Sequence, residues 1–137
     1  MKHPHTALTR TLQEVRVALL RVHKRLLDAE RLRYERDHGR IDSGGALLQL
    51  VINDPWFAWL RRLSELVVEI DERLDGEEPM PDDEARALIE QIGSLLQANP
   101  HGDEFQKNYD RAMQAVPDVV IAHVELTRII DSISRRR

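Results

Sequence analysis

Six histidines and twenty-four carboxylates are the groups through which acid–base or metal chemistry would run in this chain, because cysteine is absent. That absence removes disulfides, thiolate metal sites and cysteine nucleophiles together. His123 is the first candidate. On a helical wheel it falls inside the arc of Val116, Val119, Val120 and Ile130, with Thr127 one turn further on, so it is expected to point inward. A buried imidazole needs partners for its nitrogens and can serve as a metal ligand or a pH-responsive group. The plainer expectation is a core-edge histidine bonded to a backbone carbonyl or to Thr127. His23 is the second candidate. It lies in a polar column with Arg16 and Glu30 at seven-residue intervals, between the Leu19/Val22/Leu26 stripe and a flanking column of Leu20 and Leu27. Such a column is expected at the seam between two neighbours of one helix. Were His23 and His123 to face one another, they could ligate a transition metal or a haem.

The remaining titratable groups offer less. A carboxylate-bridged di-metal site requires Glu-x-x-His on two helices, and only Glu35 to His38 fits, at a helix end. His38 is better read there as a cation favoured by the helix dipole. Glu65, Glu69 and Glu72 lie opposite the apolar seam of their helix and read as a solvated face. His3 and His5 have the spacing of a metal-scavenging pair, but in a segment, 1–5, expected to be a disordered tail, the plainer expectation is that they bind nothing. Ser43-Gly44-Gly45 is a lone glycine pair at a helix start, more simply a flexible turn than an anion site. There is no Gly-x-Ser-x-Gly elbow, phosphate loop, dinucleotide fingerprint or His-Glu-x-x-His, so no catalytic residue and no cofactor is assigned.

The aromatic residues carry more. Trp56, Phe57 and Trp59 fall within four positions at a helix start and cover more than one face. The wheel places Trp56 on the core seam and Phe57 and Trp59 on its flanks. Core packing accounts for such a cluster, and a patch for a partner protein or small apolar ligand is the functional alternative. Val68, on the polar side of the same helix, and Ile121 and Ile129, on the outer side of the last, also lack an internal home. Together they point to an interface.

The elements that position these residues follow from two heptad runs, Leu8, Leu12, Val15, Leu19, Val22, Leu26, Ala29 and Trp56, Leu60, Leu63, Val67, Ile70, Leu74, both stepping 4, 3, 4, 3. The first helix is predicted from Thr6 to His38, about 50 Å long, stopping at Gly39. ALLQLVIN, apolar on most faces, is expected to be buried. Asp54-Pro55 restarts a helix that runs to about Asp75. GEEPMPDD, residues 76–83, is a loop, and Asp82 or Asp83 is expected to cap a short helix reaching Ala98 on Ala85, Leu88, Ile89, Ile92, Leu95 and Leu96. The last rod starts near Asp103 and meets Pro117, where a kinked continuous helix is expected over two separate ones. Beyond it, Val119, Val120, Val124, Leu126, Ile130 and Ile133 form the apolar arc. The predicted fold is all-α, one domain over 1–137: an up-down-up-down four-helix bundle with two proline-broken long helices and one short helix. The short third rod leaves one end of a wall to be closed by segment 44–53, a partner or a ligand.

The net charge of −4 conceals an asymmetry: residues 1–40 hold ten Lys and Arg against five Asp and Glu, a net +5, and residues 41–137 ten against nineteen, a net −9. A basic first helix lying beside acidic neighbours explains this, and an acidic chain without aromatic interleaving in its basic segment is a poor nucleic-acid binder. Arg135, Arg136 and Arg137 suit a helix C-terminus. No apolar run approaches the ~20 residues that span a bilayer, and the N-terminus lacks the form of a secretion signal, so no membrane association and a cytoplasmic location are expected. Residues 47–72, LLQLVINDPWFAWLRRLSELVVEIDE, resemble a stretch of small all-helical bacterial proteins of no assigned function. The resemblance covers about a fifth of the chain and implies a helical fold and no activity. The functional expectation is a non-catalytic bundle acting by protein–protein contact, as a homodimer or with another protein, through Trp56, Phe57, Trp59 and Val68. The alternative is a bundle binding a small ligand, metal or haem near Trp59, His23 or His123.

Overall fold

A computed structural model of the protein describes residues 6–135. The His3/His5 pair, the expected tail 1–5 and the last two arginines lie outside the described residues. Within them are six α-helices, one 3-10 segment and no strand. No helix among them is long and apolar enough to cross a membrane.

Helix α1 (Ala7–His38) begins on Thr6, whose hydroxyl accepts the amide of Thr9 at 3.2 Å. Its heptad positions Leu12, Val15, Leu19, Val22 and Leu26 are fully buried. The stripe does not continue to Ala29, because a straight helix drifts ahead of a seven-residue repeat, and the next buried position is Glu30. Gly39 ends the helix at φ +88°, donating its amide to the Glu35 carbonyl. The Glu35 carboxylate then accepts the amide of the buried Ile41 at 2.8 Å, so the Glu35/His38 pair is spent on the turn.

Helix α2 (Gly44–Asn53) starts on Ser43, which caps the amide of Ala46 at 3.0 Å. It corrects the expectation that ALLQLVIN is buried. None of its residues is buried, and Leu48 and Ile52 are 56% and 52% exposed. The reason is placement: α2 packs along one side only, on the segment that follows it. Asp54 interrupts the helix in an extended conformation and accepts the Trp56 amide at 2.8 Å, with Pro55 at the first helical position. Residues Pro55–Leu60 form a 3-10 segment, and α3 (Arg61–Leu74) carries on with Leu63, Leu66, Val67 and Ile70 buried.

Helix α4 (Asp82–Leu95) buries the six apolar residues expected of it. Its N-cap is Pro81, without a side-chain bond, so Asp82 and Asp83 are not caps but first-turn charges that favour the positive end of the dipole. It stops short of Ala98. Helix α5 (Glu104–Ala115) opens with a reciprocal cap between Asp103 and Gln106. Val116 is extended at φ −128°, and α6 (Pro117–Arg135) is a new helix. The expected kinked rod is therefore two helices: a residue before proline is pushed out of the helical region, and proline has no amide to offer Met113. On α6, Val119, Ala122, Leu126 and Ile133 face the core, whereas Val124 is exposed.

Helix α1 is the hub, packed against α3, α4 and α6. It runs antiparallel to α3, as the successive pairs Arg16 with Asp71, His23 with Ser64 and Tyr34 with Phe57 show. The end beyond the short α4 is closed by α5, whose Phe105 meets Trp59 at 5.5 Å between ring centroids.

Candidate functional site

Trp56 and Phe57 of the 3-10 segment do not sit as an α-helical wheel places them. Phe57 is fully buried, whereas Trp56 and Trp59 are half-buried. A 3-10 turn advances about 120° per residue instead of 100°, so the assignment of faces slips within a few positions. Phe57 is core, not part of a surface patch. Val68 is 53% exposed on α3 but lies away from the two indoles and lines neither of the hollows around them.

Around Trp56 the rings form a connected corner. Tyr34 stacks on His38 at 4.3 Å, and both meet Trp56 edge-on, at 5.5 and 5.4 Å. The Arg33 guanidinium lies over the Trp56 ring at 4.2 Å. On one side of this corner, α2 and the 39–42 turn enclose a hollow of about 590 Å³, lined by Tyr34, His38, Ile41 and Leu50 among others. On the other side, Arg33, Trp56, Trp59, Arg62, Phe105 and Asn108 line a groove of about 500 Å³. The indole N–H groups of Trp56 and Trp59 and the Nε–H of Arg33 are sealed from solvent within the packed structure and have no hydrogen-bond partner. Each such donor costs about 1–3 kcal/mol when left unpaired.

Behind the groove is the most buried charge of the structure. Glu30, 2% exposed, accepts from Arg111, and Arg33 reaches its second oxygen at 3.5 Å. Arg111 also donates to Asn108 in the groove wall. This network was not read from the sequence beyond the Arg16/His23/Glu30 column, although that column was the signal. All three of its members are paired across a seam: Arg16 with Asp71, His23 with Ser64 and Glu30 with Arg111.

The histidines are engaged separately. Nε2 of His23 and the Ser64 hydroxyl share a 2.9 Å hydrogen bond, and Nδ1 of His123 lies 2.7 Å from the hydroxyl of Tyr109. Burial lowers the pKa of both imidazoles and raises that of Tyr109. His123 thus bonds Tyr109, not Thr127, whose hydroxyl donates to the Val124 carbonyl at 3.2 Å. The two histidines bond hydroxyls on different elements, α3 and α5. No group of three or more His, Asp or Glu that could hold a metal occurs among the described residues. The Ser64–His23 pair has nucleophile–base spacing, but Ser64 stands in a first turn of α3 that continues directly from the 3-10 segment, with the Arg61 amide already bonded to the Ala58 carbonyl, so no open helix N-terminus offers oxyanion-binding amides beside it. Its chemistry is that of a packed polar contact. Comparison of the chain with protein-family models, with curated proteins and with solved structures finds no match.

Proposed function

We propose that this protein is a non-catalytic helical bundle that works by self-association, with α2 as the contact helix and α1, α3, α4 and α6 as an up-down-up-down four-helix frame. The observation that carries this reading is α2 itself. GGALLQLVIN contains no Asp, Glu, Lys or Arg, yet no residue of it is buried. A helix apolar on most faces belongs in an interior. Each half-exposed Leu48 or Ile52 side chain stands to contribute about 1 kcal/mol on burial.

The chemistry of α2 favours a second copy over another class of partner. Between Ser43 and Leu60 the only charged residue is Asp54, so two copies related by a twofold axis meet with little like-charge repulsion. The other exposed apolar side chains are differently set. Val17 and Leu20 share α1 with Arg21, and Ile121 and Val124 share α6 with Glu125, its exposed ion-pair partner, while Leu32 and Val68 are exposed on helices rich in charge, mixed surfaces of the kind proteins leave in water.

Sedimentation equilibrium tests the proposal. The wild type is expected to be dimeric, Leu48→Glu with Ile52→Glu to be monomeric at unchanged helicity, and Ile121→Glu to remain dimeric. A wild-type monomer at every concentration, or dissociation by Ile121→Glu instead, overturns it.

A further inference from the structure

We propose that two copies of the chain meet as an antiparallel pair of α2 helices, with Ile52 of each copy seated in a notch over Gly44 and Gly45 of the other. The inference rests on the self-association reading and goes further, because it fixes which part of the second copy lies on which part of the first.

The two glycines are the starting observation. Gly44 and Gly45 lie inside α2, not in the turn before it, and both are exposed. Glycine is the poorest helix former after proline. The backbone does not require it at either position, since of the described glycines only Gly39 has a positive φ. Space does not require it either. A Cβ built on Gly44 meets nothing within 4 Å, and one built on Gly45 meets only the Ser43 hydroxyl oxygen, at 3.9 Å. What two missing side chains leave open is a close approach to the backbone from outside the molecule.

The rest of the face shows what approaches. At about 100° per residue, Gly44, Gly45, Leu48 and Ile52 share one arc of about 100°, and all four are exposed. Leu47, Leu50 and Val51 pack against the core on the other side of the helix. The exposed strip thus has glycines at one end, a branched side chain at the other and Leu48 between them. Such a strip is complementary to itself only when reversed. A twofold axis beside Leu48, midway between Gly45 and Ile52, sets each Ile52 over the partner's glycines and brings the two Leu48 side chains together. A parallel partner would set Ile52 against Ile52 and leave glycines facing glycines across a void.

Charge selects the same direction. In the antiparallel register Asp54, the only charged residue between Ser43 and Leu60, falls level with Ser43 of the second copy, at the positive end of that copy's α2 dipole. Parallel helices would bring two Asp54 carboxylates and two like dipole ends together.

The chain has no cysteine, so introduced thiols report the pairing without background. Equivalent residues of the two copies are offset along the helix axis by about 1.5 Å at Leu48 and about 10 Å at Ile52. Under mild oxidation Leu48→Cys is therefore expected to form a disulfide-linked dimer and Ile52→Cys is not. A mixture of Ile52→Cys with Gly45→Cys is expected to link the unlike chains, which their masses identify. Gly45→Leu fills the notch and is expected to weaken dimerisation at least about tenfold in sedimentation equilibrium, at unchanged helicity. A wild-type monomer at every concentration overturns self-association and this pairing with it. If the dimer forms and is lost in Leu48→Glu with Ile52→Glu, three results overturn the pairing alone: self-linking of Ile52→Cys, no linking of Leu48→Cys, or undiminished association of Gly45→Leu.

Discussion

The phenolic oxygen of Tyr109 lies 2.7 Å from Nδ1 of His123, joining α5 to α6 across the Val116–Pro117 break. Burial disfavours both the phenolate and the imidazolium, and with the proton of the neutral ring on Nε2 the Tyr109 O–H donates to Nδ1. Tyr109→Phe removes the donor and strands a partly buried acceptor, and it is expected to cost about 1–2 kcal/mol in urea denaturation. Replacing His123 with Phe in that background removes the stranded acceptor too. The double variant is therefore expected to be less destabilised than the two single variants added together. Strict additivity would show that the bond contributes nothing.

Acid sensitivity follows from the two buried imidazoles. His23 and His123 have pKa values below the ordinary 6.5 because burial disfavours their charged forms. The unfolded chain then takes up protons before the folded one as the pH falls through 6.5. Stability is fully present above that value and declines from there down to the lowered folded-state pKa values. The urea midpoint is expected to fall between about pH 7.5 and about pH 5.5, and most of that fall to vanish in His23→Gln with His123→Gln. A slope unchanged in the double variant would place the acid sensitivity elsewhere.

Glu30 and Arg111 form an unequal pair. The carboxylate is 2% exposed, whereas the Arg111 side chain is 36% exposed and can return to water. Arg111→Leu leaves a buried carboxylate with only the 3.5 Å approach of Arg33, and it is expected to cost about 3 kcal/mol. Glu30→Leu removes the buried charge and frees two arginines that reach solvent, so it is expected to cost less, on the order of 1 kcal/mol. Denaturation of both variants gives the order directly. The reverse order would mean that burial of the carboxylate is not what sets the energetics of this seam.

How far the fold was legible depended on whether a feature was local. Leu12 to Leu26 and Leu63 to Ile70 were readable as core because helical periodicity is written into spacing, and Arg16, His23 and Glu30 were readable as a seam for the same reason. The caps on Thr6 and Asp54 follow from side-chain chemistry at known positions. The exposure of Leu48 and Ile52 was not legible, since an apolar helix is buried only if something covers it. Nor was the meeting of Tyr109 with His123, which depends on the angle between α5 and α6 after the chain breaks at Val116. Within the candidate site, the sequence singles out Trp56 and Trp59 by their clustering, but the burial of their N–H groups without partners is a product of tertiary packing, as where Phe105 of α5 meets Trp59, and no spacing encodes it.

The 3-10 conformation of Pro55–Leu60 makes a prediction that an α-helical phase reverses. With an α-helical phase Trp56 continues the heptad seam and Phe57 lies on its flank; in the structure Phe57 is fully enclosed and Trp56 half-buried. Phe57→Ala opens a cavity against Tyr34, 5.6 Å away between centroids, and is expected to cost about 3–5 kcal/mol. Trp56→Ala loses the edge contacts to Tyr34 and His38 and the stacking of Arg33, but it also removes an unpaired donor. It is expected to cost about half as much or less. Thermal or urea denaturation of the two variants side by side distinguishes the phases: a larger loss at Trp56 than at Phe57 would return Trp56 to the seam and remove the groove it lines.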